Sequence, residues 1–291
     1  MLLVAKTLNW KILNRIQAEM EKQRRNNQNG FRERRSNTSH ILMLRRILEG
    51  TTVKSHLAVM IFIDFWKVFD SVDRHCLIKI LQAYGISKKI QDLISLLYTN
   101  TRTQVVTPDG MTEFFEIMAR VLQGHTSAPY RFFLSWWTIV CALRWRNIRL
   151  SFTVVLAQSR RVKAKKIPDA EFADDIVLVT NTTREAEELM QEVETVSMSV
   201  ELKMNEIKMK YLVENIKKPE KIMNVGRKSL ELVQDFLYLG AKIENTEGDI
   251  VERKSKAYTV CHSLRSVWTS DIRKDLKIRL CCSGVSAVVR V

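Results

Sequence analysis

The sequence predicts an α+β fold in which an antiparallel sheet is backed by helices. Three observations predict it. Leu57 to Ile63 is an unbroken apolar run ended by Asp64, the pattern of a strand buried on both faces. Two short apolar arms, 170–173 and 176–180, flank Asp174 and Asp175, which reads as a hairpin with two carboxylates at its tip. Ala186, Leu189, Met190, Val193 and Val196 recur at three- and four-residue spacing, the stripe of an amphipathic helix.

The elements follow in order. From Trp10 to Met20, Ile12, Leu13 and Ile16 stand at helical spacing. A basic, polar stretch follows, with Gly30 as its turn, and His40 to Glu49 resumes a helical pattern. After the strand, Ser71 is placed to cap a helix with Leu77, Ile78, Leu81 and Tyr84 on one face and Gly85 as its stop. A further helix over 90–98 leads to a hairpin whose arms, 102–107 and 112–118, are joined by Pro108-Asp109-Gly110. Thr182 and Glu185 form a capping-box pair at the start of the amphipathic helix. Beyond Lys217-Lys218-Pro219 a second hairpin pattern carries FLYLG, 236–240, and the tail from Glu252 reads as basic helix.

The chain holds 47 basic and 32 acidic residues among 291, a formal charge of +15. Such a surplus calls for a polyanionic partner, nucleic acid or an anionic surface, or serves solubility. It is uneven: residues 1–55 carry twelve Lys/Arg against four acids, and ten Lys/Arg between Arg120 and Lys166 meet no acid at all. That pattern suits a groove kept positive; solvated basic loops would produce it too. Five cysteines in no disulfide or zinc spacing read as reduced thiols of an intracellular protein. The longest apolar run, 132–143, is too short for a membrane span, and no membrane association is expected.

An acid at the end of a buried strand is costly unless it is paired or metal-bound. If Asp64 neighbours the Asp174-Asp175 tip, three carboxylates converge and raise one another's pKa. Two Mg²⁺ ions, which take oxygen ligands and clamp the attacking and leaving oxygens of a phosphoryl displacement, would relieve that repulsion. Taken singly, an Asp-Asp pair is ordinary turn chemistry.

At these residues the chain resembles the reverse transcriptases of non-LTR (LINE-like) retrotransposons. IFIDFWKVFDSVDR, 61–74, is similar to the family's first catalytic motif, an Asp followed five residues later by an aromatic. EFADDIVLV, 171–179, resembles the second, an aromatic-Ala-Asp-Asp hairpin tip. QNGFRERRS (28–36), VLQGHTSAPYRFFL (121–134), LKMNEIKMK (202–210) and FLYLGAKI (236–243) resemble four further segments, in the family's order. The sequence departs from that pattern at Val68, Leu122, Ala128 and Glu201, where the family usually has Ala, Arg, Ser and Gly.

The resemblance implies a right-hand polymerase: partial fingers over 1–56, a palm with a fingers insertion over 57–215, and a primer-grip hairpin with a partial thumb over 216–291. It implies that Asp64, Asp174 and Asp175 bind two Mg²⁺ ions, with Mn²⁺ an alternative, and that Lys208 acts as general acid toward pyrophosphate. Phe69 would pack under the sugar and select deoxynucleoside triphosphates, Gln123 and Gly124 would line the nucleotide pocket, and Arg32 would meet the triphosphate. The expected partners are an RNA template and a DNA primer, in the nucleus or cytoplasm. The expected activity is RNA-directed DNA synthesis by a truncated copy. The alternative is a retrotransposon remnant that binds nucleic acid without catalysis.

Overall fold

The structure is a computed structural model and describes residues 3–23, 27–30, 32, 35–66, 74–97, 99, 102–108, 110–116, 152–155, 165–167, 169–199, 202–216, 221–222 and 228–285. Its centre is a five-stranded sheet. β1 (Ala58–Ile63) is the middle strand, pairing antiparallel with β9 (Asp175–Thr180) on one side and with β10 (Lys210–Glu214) on the other. β8 (Asp169–Phe172) forms the edge beyond β9, and the short β11 (Glu231–Leu232) runs parallel to β10 at the opposite edge, while β6 (Phe152–Val155) and β7 (Lys165–Ile167) form a separate antiparallel pair.

All six residues of β1 are buried, because each face of the sheet carries its own apolar layer. Val59, Ile61 and Ile63 pack with Leu189, Met190 and Val193 of the helix Thr183–Ser199, here α5. Met60 and Phe62 face the other way, onto Ile41, Leu44 and Leu48 of α2 (Asn37–Lys54) and onto Tyr238 and Ala241. Ile61, Leu178, Leu189 and Leu44 are among the largest fully buried side chains, each worth about 1.5–3 kcal/mol of burial. The predicted strand therefore loses only its first residue: Leu57 stays exposed.

A third apolar cluster lies apart from the sheet. It joins Ile12 and Ile16 of α1 (Leu3–Gln23) to Leu81 and Tyr84 of α3 (Arg74–Ala83) and its following turn, and to Ile94 of α4 (Lys88–Leu97). Gly85 stops α3 as expected, with φ +72. The predicted Ser71 cap and the apolar run 132–143 lie outside the described residues.

Two elements differ in detail from expectation. The 102–116 hairpin is split into two short ladders, β2 (Arg102–Thr103) with β5 (Phe115–Glu116) and β3 (Val106–Thr107) with β4 (Gly110–Met111). Between them Thr112 uses its backbone N–H and hydroxyl on Val105, which breaks the regular pairing. The C-terminal helix begins at Thr246 rather than Glu252, because Asn245 caps it by accepting from the Gly248 N–H at 2.7 Å. This helix, α6 (Thr246–Ser263), is followed by the shorter α7 (Arg265–Thr269) and α8 (Lys274–Leu280). Among the described residues no helix is long and apolar enough to cross a membrane. Cys261, Cys281 and Cys282 are free thiols.

Candidate active site

β1 and β9 fix where the first carboxylate goes. Ile63 pairs with Ile176, so the register carried one residue further sets Asp64 opposite Asp175 at the end of the sheet. Alternation along the two strands puts both on the side of Phe62 and Val177. On its other flank Asp64 is held by the segment entering β10. Asn205 donates its backbone N–H to the Asp64 carbonyl at 2.9 Å and its side-chain amide to Asp64 Oδ2 at 2.9 Å. Trp66 N–H meets the Lys203 carbonyl, and Phe65 bridges Met204, so the antiparallel ladder continues past the carboxylate. The chain then turns at 206–208, and Lys208 Nζ comes to 3.3 Å from Asp64 Oδ2.

The second and third carboxylates come from the β8–β9 hairpin. Phe172 pairs with Asp175, which leaves Ala173 and Asp174 as a two-residue loop. Ala173 sits at φ +56, a positive value at the first loop position that hairpin turns of this length normally give to glycine. Burial pushes the Asp174 carboxyl above the usual carboxylate range, with Asp64 adding to the effect and Lys208 opposing it. Asp175 is pushed up to about 6, first by burial, then by the charges of Asp174 and Asp64, again against Lys208. Asp64 thus acts on both acids of the tip and Asp174 on Asp175, which makes the three one electrostatic unit.

One ammonium against three partly buried carboxylates leaves a net negative site. Its donors are all carboxylate oxygens, the ligand type that Mg²⁺ and Mn²⁺ take. The chemistry of the donor set therefore fits a divalent ion. Among the described residues no three His, Cys, Asp or Glu side chains are gathered as a metal cluster.

Arg32 stands apart from this trio. Its guanidinium donates to the Gln28 carbonyl at 3.2 Å and pairs with Glu21. Phe69, Gln123 and Gly124 lie outside the described residues. Two site residues had no advance signal of their own. Asn205 lies within the LKMNEIKMK segment, yet only the fold shows that it grips Asp64. Gln28 sits at the head of QNGFRERRS and hydrogen-bonds the backbone of Ala173.

The FLYLG hairpin covers the face of the sheet that carries Phe62 and Val177, the side on which Asp64 and Asp175 stand. β12 (Leu237–Tyr238) and β13 (Ala241–Lys242) are joined by Leu239 and Gly240 at φ +51 and +79, the two positive values of a type I′ turn. Phe236 stacks on Phe62 with ring centroids 4.0 Å apart, and the Tyr238 hydroxyl donates to the Asp175 carbonyl at 3.5 Å. Burial holds the Tyr238 phenol well above its ordinary pKa, so it stays a donor.

This arrangement has relatives. The reverse transcriptase (RNA-dependent DNA polymerase) family model matches residues 1–243, and the chain belongs to that family. Its curated relatives place it among the non-LTR retrotransposon reverse transcriptases. A putative uncharacterized transposon-derived protein of Caenorhabditis elegans is 30% identical over 126 residues, 41% of this chain and 44% of the relative. The retrovirus-related Pol polyprotein from type-1 retrotransposable element R2 of Popillia japonica is 26% identical over 141 residues, 48% of this chain and 22% of the relative. The chain thus spans less than half the length of these relatives. Among solved structures, apo telomerase from Candida tropicalis superposes with a TM-score of 0.56 at 11% identity, covering 81% of this chain and 39% of that one. A form of that telomerase truncated of its C-terminal domain gives 0.54 at 12% identity, covering 74% and 42%. These likenesses establish a shared polymerase fold.

Proposed function

We propose that the chain is the core of an RNA-directed DNA polymerase that adds deoxynucleotides to a primer on an RNA template. The observation that carries this reading is the meeting of Asp64, from the middle strand, with Asp174 and Asp175 at the tip of the neighbouring hairpin. In this reading β1, β8, β9 and β10 belong to a palm with a fingers insertion over 57–215, residues 1–56 are partial fingers, and 216–291 supply the sheet's edge strand β11, the primer-grip hairpin and part of a thumb. Family membership supports the assignment.

Asp64, Asp174 and Asp175 would hold two divalent ions, which when bound supply Lewis-acid polarisation of the phosphoryl oxygens and lower the pKa of the primer hydroxyl. The chain's own residues set the rest. Asn205 keeps Asp64 aimed by engaging its carbonyl and its carboxylate together. Lys208 is mostly exposed and reaches Asp64 from a turn, so its ammonium is free to swing toward a departing pyrophosphate and give it a proton. Arg32 would exchange the Glu21 carboxylate for a triphosphate oxygen, one anion for another, without losing its hold on the Gln28 carbonyl. Phe69, Gln123 and Gly124 enter through the motif alone: the ring as the barrier to a 2′-hydroxyl, the other two as pocket lining.

The test is extension of a DNA primer annealed to RNA by the full chain with Mg²⁺ or Mn²⁺. Wild-type protein extends the primer, and Asp174→Ala reduces extension to background. Extension that survives the substitution refutes the site. Wild-type protein that binds the primed RNA but does not extend it replaces the polymerase reading with that of a nucleic-acid-binding remnant.

A further inference from the structure

We infer that Gln28 is a positioning residue that holds the acidic hairpin tip in its strained turn; the inference rests on the polymerase reading for its effect on catalysis, though not for its effect on the tip. The starting point is Ala173. It carries a Cβ at φ +56, where L-residues pay a steric cost that glycine escapes, and it immediately precedes Asp174 and Asp175. Such a conformation persists only when its surroundings impose it.

The surroundings are supplied from 145 residues away. Gln28 Oε1 accepts from the Ala173 N–H at 3.0 Å, and Gln28 Nε2 donates to the Ala173 carbonyl at 3.3 Å. One side-chain amide thus grips both backbone groups of the strained residue. The amide is itself oriented: the Gly30 N–H donates to the same Oε1 at 2.7 Å, and Gln28 is only 3% exposed. A buried amide with these partners has one setting, since a flipped Nε2 would face two N–H groups.

The backbone around Gln28 is fixed to the same hairpin. Asn29 N–H donates to the Glu171 carbonyl at 3.0 Å and Glu171 N–H to the Asn27 carbonyl at 3.3 Å, so 27–29 run as a parallel bridge along the edge strand β8. The Asn27 amide donates to Asp169 at 2.8 Å. Gly30 is the residue that lets this loop approach, because a Cβ there would stand 2.3 Å from the Ala173 backbone nitrogen. The loop also reaches Arg32, whose guanidinium holds the Gln28 carbonyl. Hydrogen bonds therefore link Arg32 to Gln28, and Gln28 to the residue that immediately precedes the two carboxylates.

Gln28→Leu keeps the volume and removes the grip; Gln28→Glu keeps the two acceptances and loses the donation. The readouts are amide exchange of 172–176 in the full chain, Mn²⁺ binding followed by electron paramagnetic resonance, and kcat and KM for primer extension. In Gln28→Leu, exchange at the tip accelerates while β1 and β10 stay protected, and Mn²⁺ binding weakens. Its kcat falls about a hundredfold with KM for the nucleotide nearly unchanged, as a displaced catalytic group requires. Gln28→Glu recovers part of each effect. Tip exchange and Mn²⁺ affinity equal to wild type in Gln28→Leu overturn the inference. So does a general loss of protection across the sheet in Gln28→Leu with no recovery in Gln28→Glu, which marks a fold requirement only. If wild-type protein extends no primer, the polymerase reading fails, and the exchange and Mn²⁺ measurements still decide whether Gln28 sets the tip.

Discussion

Asp175 is charged at neutral pH in a place that disfavours charge. Burial, Asp174 and Asp64 together lift its carboxyl to about 6, from an unfolded value of 3.8. A carboxyl whose folded pKa is raised binds its proton more tightly in the folded state, so its favourable contribution is complete below 3.8 and is lost as pH rises to about 6. Asp174 is shifted in the same direction and deepens the loss. Metal-free protein, kept in chelator, should therefore lose thermal stability as pH climbs through this window. Asp175→Asn removes the charge at nearly constant shape. Its melting temperature should exceed that of wild type above pH 6 and converge with it below pH 4, and replacing chelator by millimolar Mg²⁺ should narrow the gap by raising wild type alone. A wild-type curve that is flat between pH 4 and 6 would count against the trio as one electrostatic unit. These acids were legible in the sequence, because a run of apolar residues ending in Asp is a local pattern. Gln28 and Asn205 were not, since their partners lie 145 and 141 residues away and a polar side chain carries no mark of what it will meet.

Among the elements, the most readable were those whose period is enforced by burial. β1 shows its apolar run because both faces are covered, and α5 shows its stripe because only one is. The Thr182–Glu185 cap formed in part: Thr182 Oγ1 accepts from the Glu185 N–H at 3.2 Å, but the Glu185 carboxylate turns to the Asn181 N–H. The docking of the FLYLG hairpin was legible only as a turn. What joins it to the sheet is tertiary: Arg45 of α2 holds both the Lys242 carbonyl and Asp249, and Asp249 also pairs with Arg253. Beside this junction, Glu244 follows β13 at the wall of a cavity of about 510 Å³ shared with Val213, Leu232 and Asp235. Its carboxyl is pushed up to about 7, chiefly by burial, then by the charge of Glu214 and a shared hydrogen bond with it, and by Asp235. The proton on Glu244 relieves the repulsion between its carboxyl and that of Glu214 where the hairpin meets the end of β10. As pH rises from 4.5 through about 7 that proton leaves and two carboxylates face each other, so the junction weakens. Glu244→Gln keeps the hydrogen bond and removes the repulsion. Protection factors at 236–243, which divide out the intrinsic pH dependence of amide exchange, should then become independent of pH between 6 and 8, whereas in wild type they fall over that range; equal pH dependence in both proteins would sever the link.

At the scale of the molecule, charge and fold are organised separately. Residues 1–55 and 117–168 together hold more net positive charge than the whole chain, so the remaining residues are acidic on balance. The acidic share includes the carboxylates at the sheet's end, and the basic share lies in chain segments that precede and interrupt the sheet-forming strands. A uniformly basic protein would bind polyanions anywhere. A divided one binds them where the basic segments run and leaves the acidic centre for cations. If the basic segments carry the primed template, affinity is set by phosphates neutralised and counterions released, and log K falls linearly with log salt. Fluorescence anisotropy of a labelled primer–RNA duplex over about 50–300 mM KCl should give a straight line steep enough for several neutralised phosphates. Exchanging Arg160, Arg161 and Lys163 together for Gln should reduce that slope by about one for each phosphate no longer neutralised, and weaken binding alike on unrelated sequences. The same number of exchanges at Arg184, Arg273 and Lys274, outside both stretches, should leave the slope unchanged. Equal losses of affinity from the two sets would mean that binding follows total charge, and the division of charge along the chain would then have no part in holding nucleic acid.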